Sequence, residues 1–556
     1  MNGRFRRKGP EGLKMQLRRF VPAMFLAVAA TFASAQTPAP AAGGQTGAPA
    51  SSTGAVRDQK SAPPKTSAPT VITPQQAKEL FASVGTILKF VSKDTGLPVH
   101  HPVKARLVTR PEVEQYLQRK LNDGKDARRM ERSEIVLKKF GLLDADFRLR
   151  PFLVKLLDEQ IAAYYDSRTK TVNLLNWVAP ATQKPVLAQE LTHALQDQDV
   201  DLEKWEDPSS DGISHSYAQD VQHVATDEED TAREAVVEGQ AMVSFVDYSL
   251  APTGRSLKMM PGLAKKMVAA TSDLSDSPVM ARAPMVLQQS MLFPYTYGLE
   301  FEATLLQDSA TKAGAFADVL ARPPNTSYEI MNPRAYERHV KPPLLTMPDI
   351  HPVIDAEYNP YDVGVMGELD VKILADMFGG REAEAELTPQ WDGGIYYVAQ
   401  KKGAKNTNST ASVALLYVSQ WKTRRAAEVF AKLYDNQVGN QFWDVKREKA
   451  DETGPNERVY TTSEGPVLIV RSGREVFVSE SFALPMARKL QWLTLSAQQQ
   501  SGGQLAMSGR RPGAEPAPRR EPDLTGSLVQ WMASCGMMKA ALAEGAVGIA
   551  EANLTK

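Results

Sequence analysis

Apolar residues first fall into a helical rhythm behind Thr73-Pro74, where Leu80, Phe81, Val84, Ile87, Leu88 and Val91 recur three and four apart, the spacing that lines one helix face. Thr73 supplies an N-cap, Pro74 suits the first helical position, and Gly96 ends the helix. Residues 103–109 alternate as a strand does, and a charged stretch over about 112–139 keeps helical periodicity. Two apolar runs, 161–165 and 171–175, flank Asp166-Ser167-Arg168-Thr169-Lys170, which predicts a hairpin with a polar turn. A helix opening at Pro185 follows, then a second over 231–246 and a stretch rich in Pro and Tyr over 293–343. Beyond Pro352 the pattern shifts to short strands at 395–398, 413–418, 467–470 and 476–479, with Ser472-Gly473 as a tight turn and helices at 424–434 and 484–496. The expected fold class is α+β, with one domain over 73–350, a smaller α+β domain over 351–498, and no internal repeat.

The flanks read differently. Residues 1–35 run from a basic stretch through the apolar segment 20–32 to Ala33-Ser34-Ala35, the layout of a secretory signal cleaved before Gln36. Residues 36–72 and 499–525 are rich in Ala, Pro, Gly, Ser or Arg without periodic apolar positions and are expected to be linkers, with a helical tail at 526–556. The expected location is secreted or periplasmic, with no stable membrane span once the signal is removed. Lysine plus arginine and aspartate plus glutamate number 65 each, so no global field argues for nucleic acid. The single cysteine, Cys535, excludes an intramolecular disulfide framework and a thiolate-rich metal site.

Candidate chemistry concentrates on the helix at Pro185. Side chains four apart on a helix project the same way, so Gln189 and His193 stand side by side with Glu190 between them. This is the spacing of H-E-x-x-H, in which two histidines bind zinc and the glutamate activates a water. Gln189, Glu190, His193, Gln196 and Asp197 form a polar stripe on a helix otherwise carrying Leu187, Leu191 and Leu195; buried, such a stripe needs partners. The second helix offers Glu234 and, one turn on, Glu238 as a further ligand. The six other histidines, His100, His101, His215, His223, His339 and His351, fall outside ligand spacing and are expected in loops or at the surface.

The run Ala188-Gln189-Glu190-Leu191-Thr192-His193-Ala194-Leu195-Gln196-Asp197-Gln198 resembles the core motif, H-E-[LYV]-x-H-A-L-Q-D-Q, of a family of secreted bacterial metallopeptidases of the gluzincin type. The resemblance takes in Ala163-Tyr164-Tyr165-Asp166-Ser167-Arg168-Thr169-Lys170 upstream. Downstream it includes Glu234-Ala235-Val236-Val237-Glu238-Gly239-Gln240-Ala241, Pro294-Tyr295-Thr296-Tyr297-Gly298, Arg322-Pro323-Pro324-Asn325-Thr326-Ser327 and Trp391-Asp392-Gly393-Gly394-Ile395-Tyr396 with Trp421, spanning roughly 75–495. It implies a zincin-like metallopeptidase domain with metal ligands at 189, His193 and Glu238 and Glu190 as general base. Asp197 and Glu234 support them, and Tyr295 or Tyr297 is the hydroxyl placed to stabilise an oxyanion.

The sequence departs from that pattern twice: Gln189 replaces the first histidine, and Asn332 stands where the pattern has His-Pro. A neutral amide oxygen suits zinc less well than imidazole, so zinc is expected to be weakly bound or absent. Three readings follow: a degenerate zincin-fold protein that binds a peptide or protein or acts as an accessory, a working zinc peptidase using Glu190, and a structural envelope protein with a hydrogen-bonded polar core.

Overall fold

The computed structural model describes residues 71–504 apart from 122–123, 161–162, 206–214, 272–273 and 275–276. The expected signal segment, the helical tail and most of both linkers therefore lie outside the described residues. Helix and sheet are mixed, with helices dominating the first part and a large sheet the second.

The first helix, α1 (Pro74–Thr95), forms as its sequence dictates: Thr73 and Gln76 make a reciprocal capping box, and Gly96 closes the helix at φ 80°. Its stripe, Leu80, Val84, Ile87, Leu88 and Val91, is buried. Strand β1 (Lys104–Val108) follows, and the charged stretch divides into α2 (Arg110–Leu121) and α3 (Gly124–Lys139) before α4 (Leu149–Gln160). Strands β2 (Ala163–Asp166) and β3 (Thr171–Leu175) form the hairpin in the register Ala163↔Leu174 to Asp166↔Thr171, with Lys170 at φ 52° in its turn. Strand β1 joins β3 in parallel, so the small sheet has the order β1-β3-β2 and β2 is an outer strand.

The motif helix, α5 (Pro180–Val200), starts more than a turn earlier than Pro185 suggested, with Pro180 in the first turn and Pro185 carried inside. Short α6 (Leu202–Trp205) and α7 (Tyr217–Thr226) lead to α8 (Glu229–Leu250) and α9 (Leu263–Ala270). The stretch rich in Pro and Tyr is largely helical: α10 (Met285–Asp308) runs through Pro294, followed by α11 (Lys312–Ala321), α12 (Ser327–Met331) and α13 (Pro333–Glu337). Helices α1, α5, α8 and α10 pack on one another, and α5 also lies against β2 and β3.

Short α14 (His351–Ile354) opens the second region. Its strands are β4 (Tyr358–Val365), β5 (Trp391–Lys401), β6 (Val413–Trp421), β7 (Lys446–Arg447), β8 (Glu457–Thr462), β9 (Gly465–Ser472) and β10 (Glu475–Glu480). They form a seven-stranded antiparallel sheet in the order β4-β5-β6-β10-β9-β8-β7. Gly473, at φ 63°, makes the β9–β10 turn. Helices α15 (Glu368–Leu387), α16 (Arg424–Gln441) and α17 (Leu484–Gln504) pack on the sheet. Trp391 and Trp421 are cross-strand partners, both buried, with a bulge before Gly394. One buried apolar cluster runs from Leu80 to Val478 and so joins the helices to the sheet; a second, containing Val363, Leu416, Phe477 and Leu490, is separate. Among the described residues, no helix is long and apolar enough to cross a membrane.

Candidate functional site

Helix α5 is buried on every side from Val186 to Asp197, so each of its polar side chains must find a partner or destabilise the fold. Most find one at the ends of neighbouring elements. Gln183 Nε2 donates to the Leu175 and Val178 carbonyls at 2.9 and 2.5 Å. Thr192 Oγ1 donates back to the Ala188 carbonyl at 2.9 Å. Asp197 Oδ2 accepts from the Tyr165 hydroxyl and Lys170 Nζ, both at 2.6 Å, which pins the β2–β3 hairpin to the helix. Glu190 Oε2 accepts from the Tyr165 backbone N–H at 2.8 Å.

At the centre, Gln189 and His193 face one carboxylate of α8. Gln189 Nε2 donates to Glu238 Oε2 at 3.1 Å, and His193 Nε2 lies 3.4 Å from the same oxygen. All three side chains are buried. The orientation of the His193 ring follows from a relay of amides. Gln240 Nε2 donates to the Phe316 carbonyl at 3.3 Å, and Gln196 Nε2 donates to Gln240 Oε1 and to the Val237 carbonyl, each at 3.1 Å. Gln196 Oε1 is then left to accept from His193 Nδ1, 3.1 Å away. With Nδ1 turned to Gln196, the other ring nitrogen, Nε2, is left facing the Glu238 carboxyl. The sequence pattern pointed to Gln189, His193 and Glu238 but not to Gln240. Gln196 lay in the motif without an assigned role, although its place three residues after His193 is the spacing at which helix side chains meet.

Helix α10 closes the group. It crosses α8 at two glycines: a Cβ on Gly298 would stand 2.2 Å from the Ala235 carbonyl oxygen, and one on Gly239 would stand 2.4 Å from that of Gly298. Only bare backbone permits that approach. It brings the buried Tyr295 ring onto the acidic cluster, where burial first, and then the charges of Glu238, Glu234 and Glu190, push its hydroxyl pKa well above the ordinary value. Tyr297, two residues on, faces other acids: burial, then Glu384, Glu300 and Glu368, raise its pKa. Asn332 also lies with that second set, donating through Nδ2 to Glu368 Oε2 and to the Tyr328 carbonyl, at 2.5 and 2.9 Å. Gln189, Glu190, His193, Glu234, Glu238 and Tyr295 thus come together; Asp197 secures the hairpin, and Tyr297 and Asn332 belong with Glu368.

The expectation for the other histidines needs correction at two positions. His223 and His351 are buried at 1% and 7% exposure, each beside an aspartate. His223 is in α7, and its partner Asp227 follows four residues on.

The donors present fit a zinc ion poorly. His193 Nε2 and Glu238 Oε2 are ordinary zinc donors, but Gln189 turns its N–H face to them, and an N–H cannot coordinate a cation. Turning the amide over would set its oxygen against the carboxylate, acceptor to acceptor. Among the described residues, no group of three or more His, Cys, Asp or Glu side chains is arranged to hold a metal ion. No family model matches the chain, and neither curated proteins nor solved structures offer a match.

Proposed function

We propose that this is an exported protein on a zincin-like scaffold in which the metal centre has been replaced by a hydrogen-bonded core, and that it acts by binding an extended peptide or protein segment rather than by hydrolysis. The observation that carries this reading is the shared Glu238 oxygen. Gln189 donates to it and His193 lies against it, so the carboxylate's charge is answered by protein groups where a zinc enzyme would use the ion. Glu190, the residue that would take a proton from an activated water, is engaged by the Tyr165 N–H. Strand β2, which carries Tyr165, is the outer strand of its sheet, although its four residues are buried; an extended peptide adding along it by backbone hydrogen bonds would have to displace what covers it. Export rests on the layout of residues 1–35.

One observation favours the alternative of a working zinc peptidase. Gln189 Oε1 is buried with no hydrogen-bond partner among the described residues, and a cation is one way to satisfy such an oxygen. On that reading His193, Glu238 and Gln189 would hold the ion, which would supply an acidified water, while Glu190 would accept the proton and Tyr295 would steady the developing negative charge. Casein hydrolysis separates the two. The replaced-centre reading expects none above background with zinc added. Hydrolysis that is stopped by a chelator and lost in Glu190→Gln establishes the enzyme.

A further inference from the structure

The second set of buried titratable groups lies where α7 packs on β4, the first strand of the large sheet and an outer one. Asp220, His223 and Asp227 stand three and four apart on and just beyond α7, the spacing of one helix face, and all are buried. His223 Nε2 lies 3.3 Å from Asp227 Oδ1, while Asp227 Oδ2 accepts from the Val365 N–H of β4 at 2.7 Å. At the other end, Asp220 Oδ2 lies 3.4 Å from His351 Nε2, and His351 Nδ1 lies 3.0 Å from Asp349 Oδ1. The sheet answers with Asp362 on β4, whose Oδ2 accepts from the Tyr396 hydroxyl of β5 at 3.2 Å.

The approach is close enough to need glycine twice. A Cβ on Gly364 would stand 2.6 Å from Asp227 Oδ2, and one on Gly367 would stand 2.0 Å from Glu228 Oε1. Glu228 in turn accepts from the Ser327 N–H at 3.2 Å, and Asp370 Oδ2 accepts from the Gly367 N–H at 2.9 Å. The seam therefore gathers Asp220, Asp227, Glu228, Asp362 and Asp370 against His223 and His351. Asp349, Asp355 and Tyr397 face Asp220, and His223 and, from α3, Arg132 face Asp362. His215, beside Asp355 at 3.2 Å, stands at the outer rim.

From this geometry we infer that α7 is a proton-linked latch over the β4 edge of the large sheet: with its protons bound the seam holds the helix down, and as they leave the helix detaches while the rest of the fold persists. The inference does not depend on the state of the Gln189 site. The direction comes from the carboxyls, all raised chiefly by burial: Asp220 to about 6, Asp362 and Asp370 to about 7, and Glu228 to about 8. Acids raised in the fold bind more protons folded than unfolded. Their contribution is thus complete below the ordinary carboxyl range near 4 and is lost as pH rises through the folded values of about 6 to about 8. Deprotonation leaves several anions facing one another, with Arg132 as a nearby permanent cation.

Amide hydrogen exchange on the full chain, at about pH 6 and about pH 9 and corrected for intrinsic rates, reads the latch directly. Peptides covering α7 and β4 are expected to lose protection at the higher pH by at least about tenfold more than peptides covering α1 and β9, since each unit of pKa shift is a tenfold linkage. Asp362→Asn, which cannot charge, is expected to shrink that difference; if it fails to fold, Asp220→Asn serves the same purpose. Equal protection of α7 and β4 at the two pH values, a loss shared evenly by α1 and β9, or an undiminished loss in a folded variant would each overturn the inference. The natural protein's profile decides even if neither variant folds.

Discussion

His193 and His223 are both buried histidines on helices, yet their surroundings differ in kind. His223 has an aspartate on its own chain segment one turn away, and that aspartate also holds a β4 amide. His193 shares its carboxylate with Gln189, and its other ring nitrogen is fixed by a relay of amides reaching Phe316. The first arrangement joins two elements, α7 and β4, through one shared aspartate. The second orients one imidazole nitrogen with the care usual at metal ligands, where a partner on the far nitrogen sets the ring, and then presents it to a carboxylate and an amide. On the proposed reading, what survives is the supporting framework of a metal site and what has changed is the first ligand.

If the Gln189 site is held by helix packing, the largest effects should come from the α8–α10 crossing rather than from the polar groups. Gly298→Ala puts a methyl 2.2 Å from a carbonyl oxygen, a clash with backbone that cannot rotate away. A loss of about 3 kcal/mol or more is expected, at or beyond the upper end of ordinary overpacking, read as a lowered urea midpoint. Stability close to that of the natural protein would mean that the crossing is looser than described.

Glu238→Gln comes next. It removes the charge from the oxygen shared by Gln189 and His193, and about 2 kcal/mol should be lost, the range for a buried bond to a charged group. The replaced-centre account expects the same loss with and without zinc. A penalty that appears only with zinc present would move Glu238 from structural partner to ligand.

The smallest effect is expected at Asn332→Ala, which gives up the bond to Glu368. Burial and the Asn332 contact act in opposite directions on Glu368, whose pKa burial raises to about 7. About 1 kcal/mol should be lost, with no change at Gln189 or Glu238. A shift in zinc behaviour on this substitution would show that Asn332 communicates with the motif site after all.

The motif site was readable because helical spacing is local. Glu238 followed from the glutamate that H-E-x-x-H sites take from a later helix, as the resemblance implies, while residues 189, 190 and 193 come together by helical spacing. Helix α1 was readable to its caps for the same reason. Position-based choices failed to separate Tyr295 from Tyr297, because α10 continues through Pro294 and sets the second ring near Glu384, Glu300 and Glu368 instead. The start of α5 was misread since Pro185 looks like a first-turn proline although Pro180 takes that place. The α7–β4 seam was invisible: Asp220, His351 and Asp362 come from segments far apart in sequence, and β4, interrupted by Pro360 and Gly364, shows no clean alternation. Helix α15 was also missed; Gly380, at φ 72° within it, breaks the periodic pattern.

The most direct test of the central claim is the zinc content and affinity of the purified protein, measured alongside Gln189→His. On the proposed reading an imidazole at 189 supplies the missing zinc ligand, so the variant is expected to bind zinc at least about tenfold more tightly, the lower end of a ligand-level effect. The natural protein should hold well under one zinc per chain after dialysis. One tightly held zinc per chain in the natural protein, unchanged by Gln189→His, would contradict the account and make Gln189 a ligand in its own right.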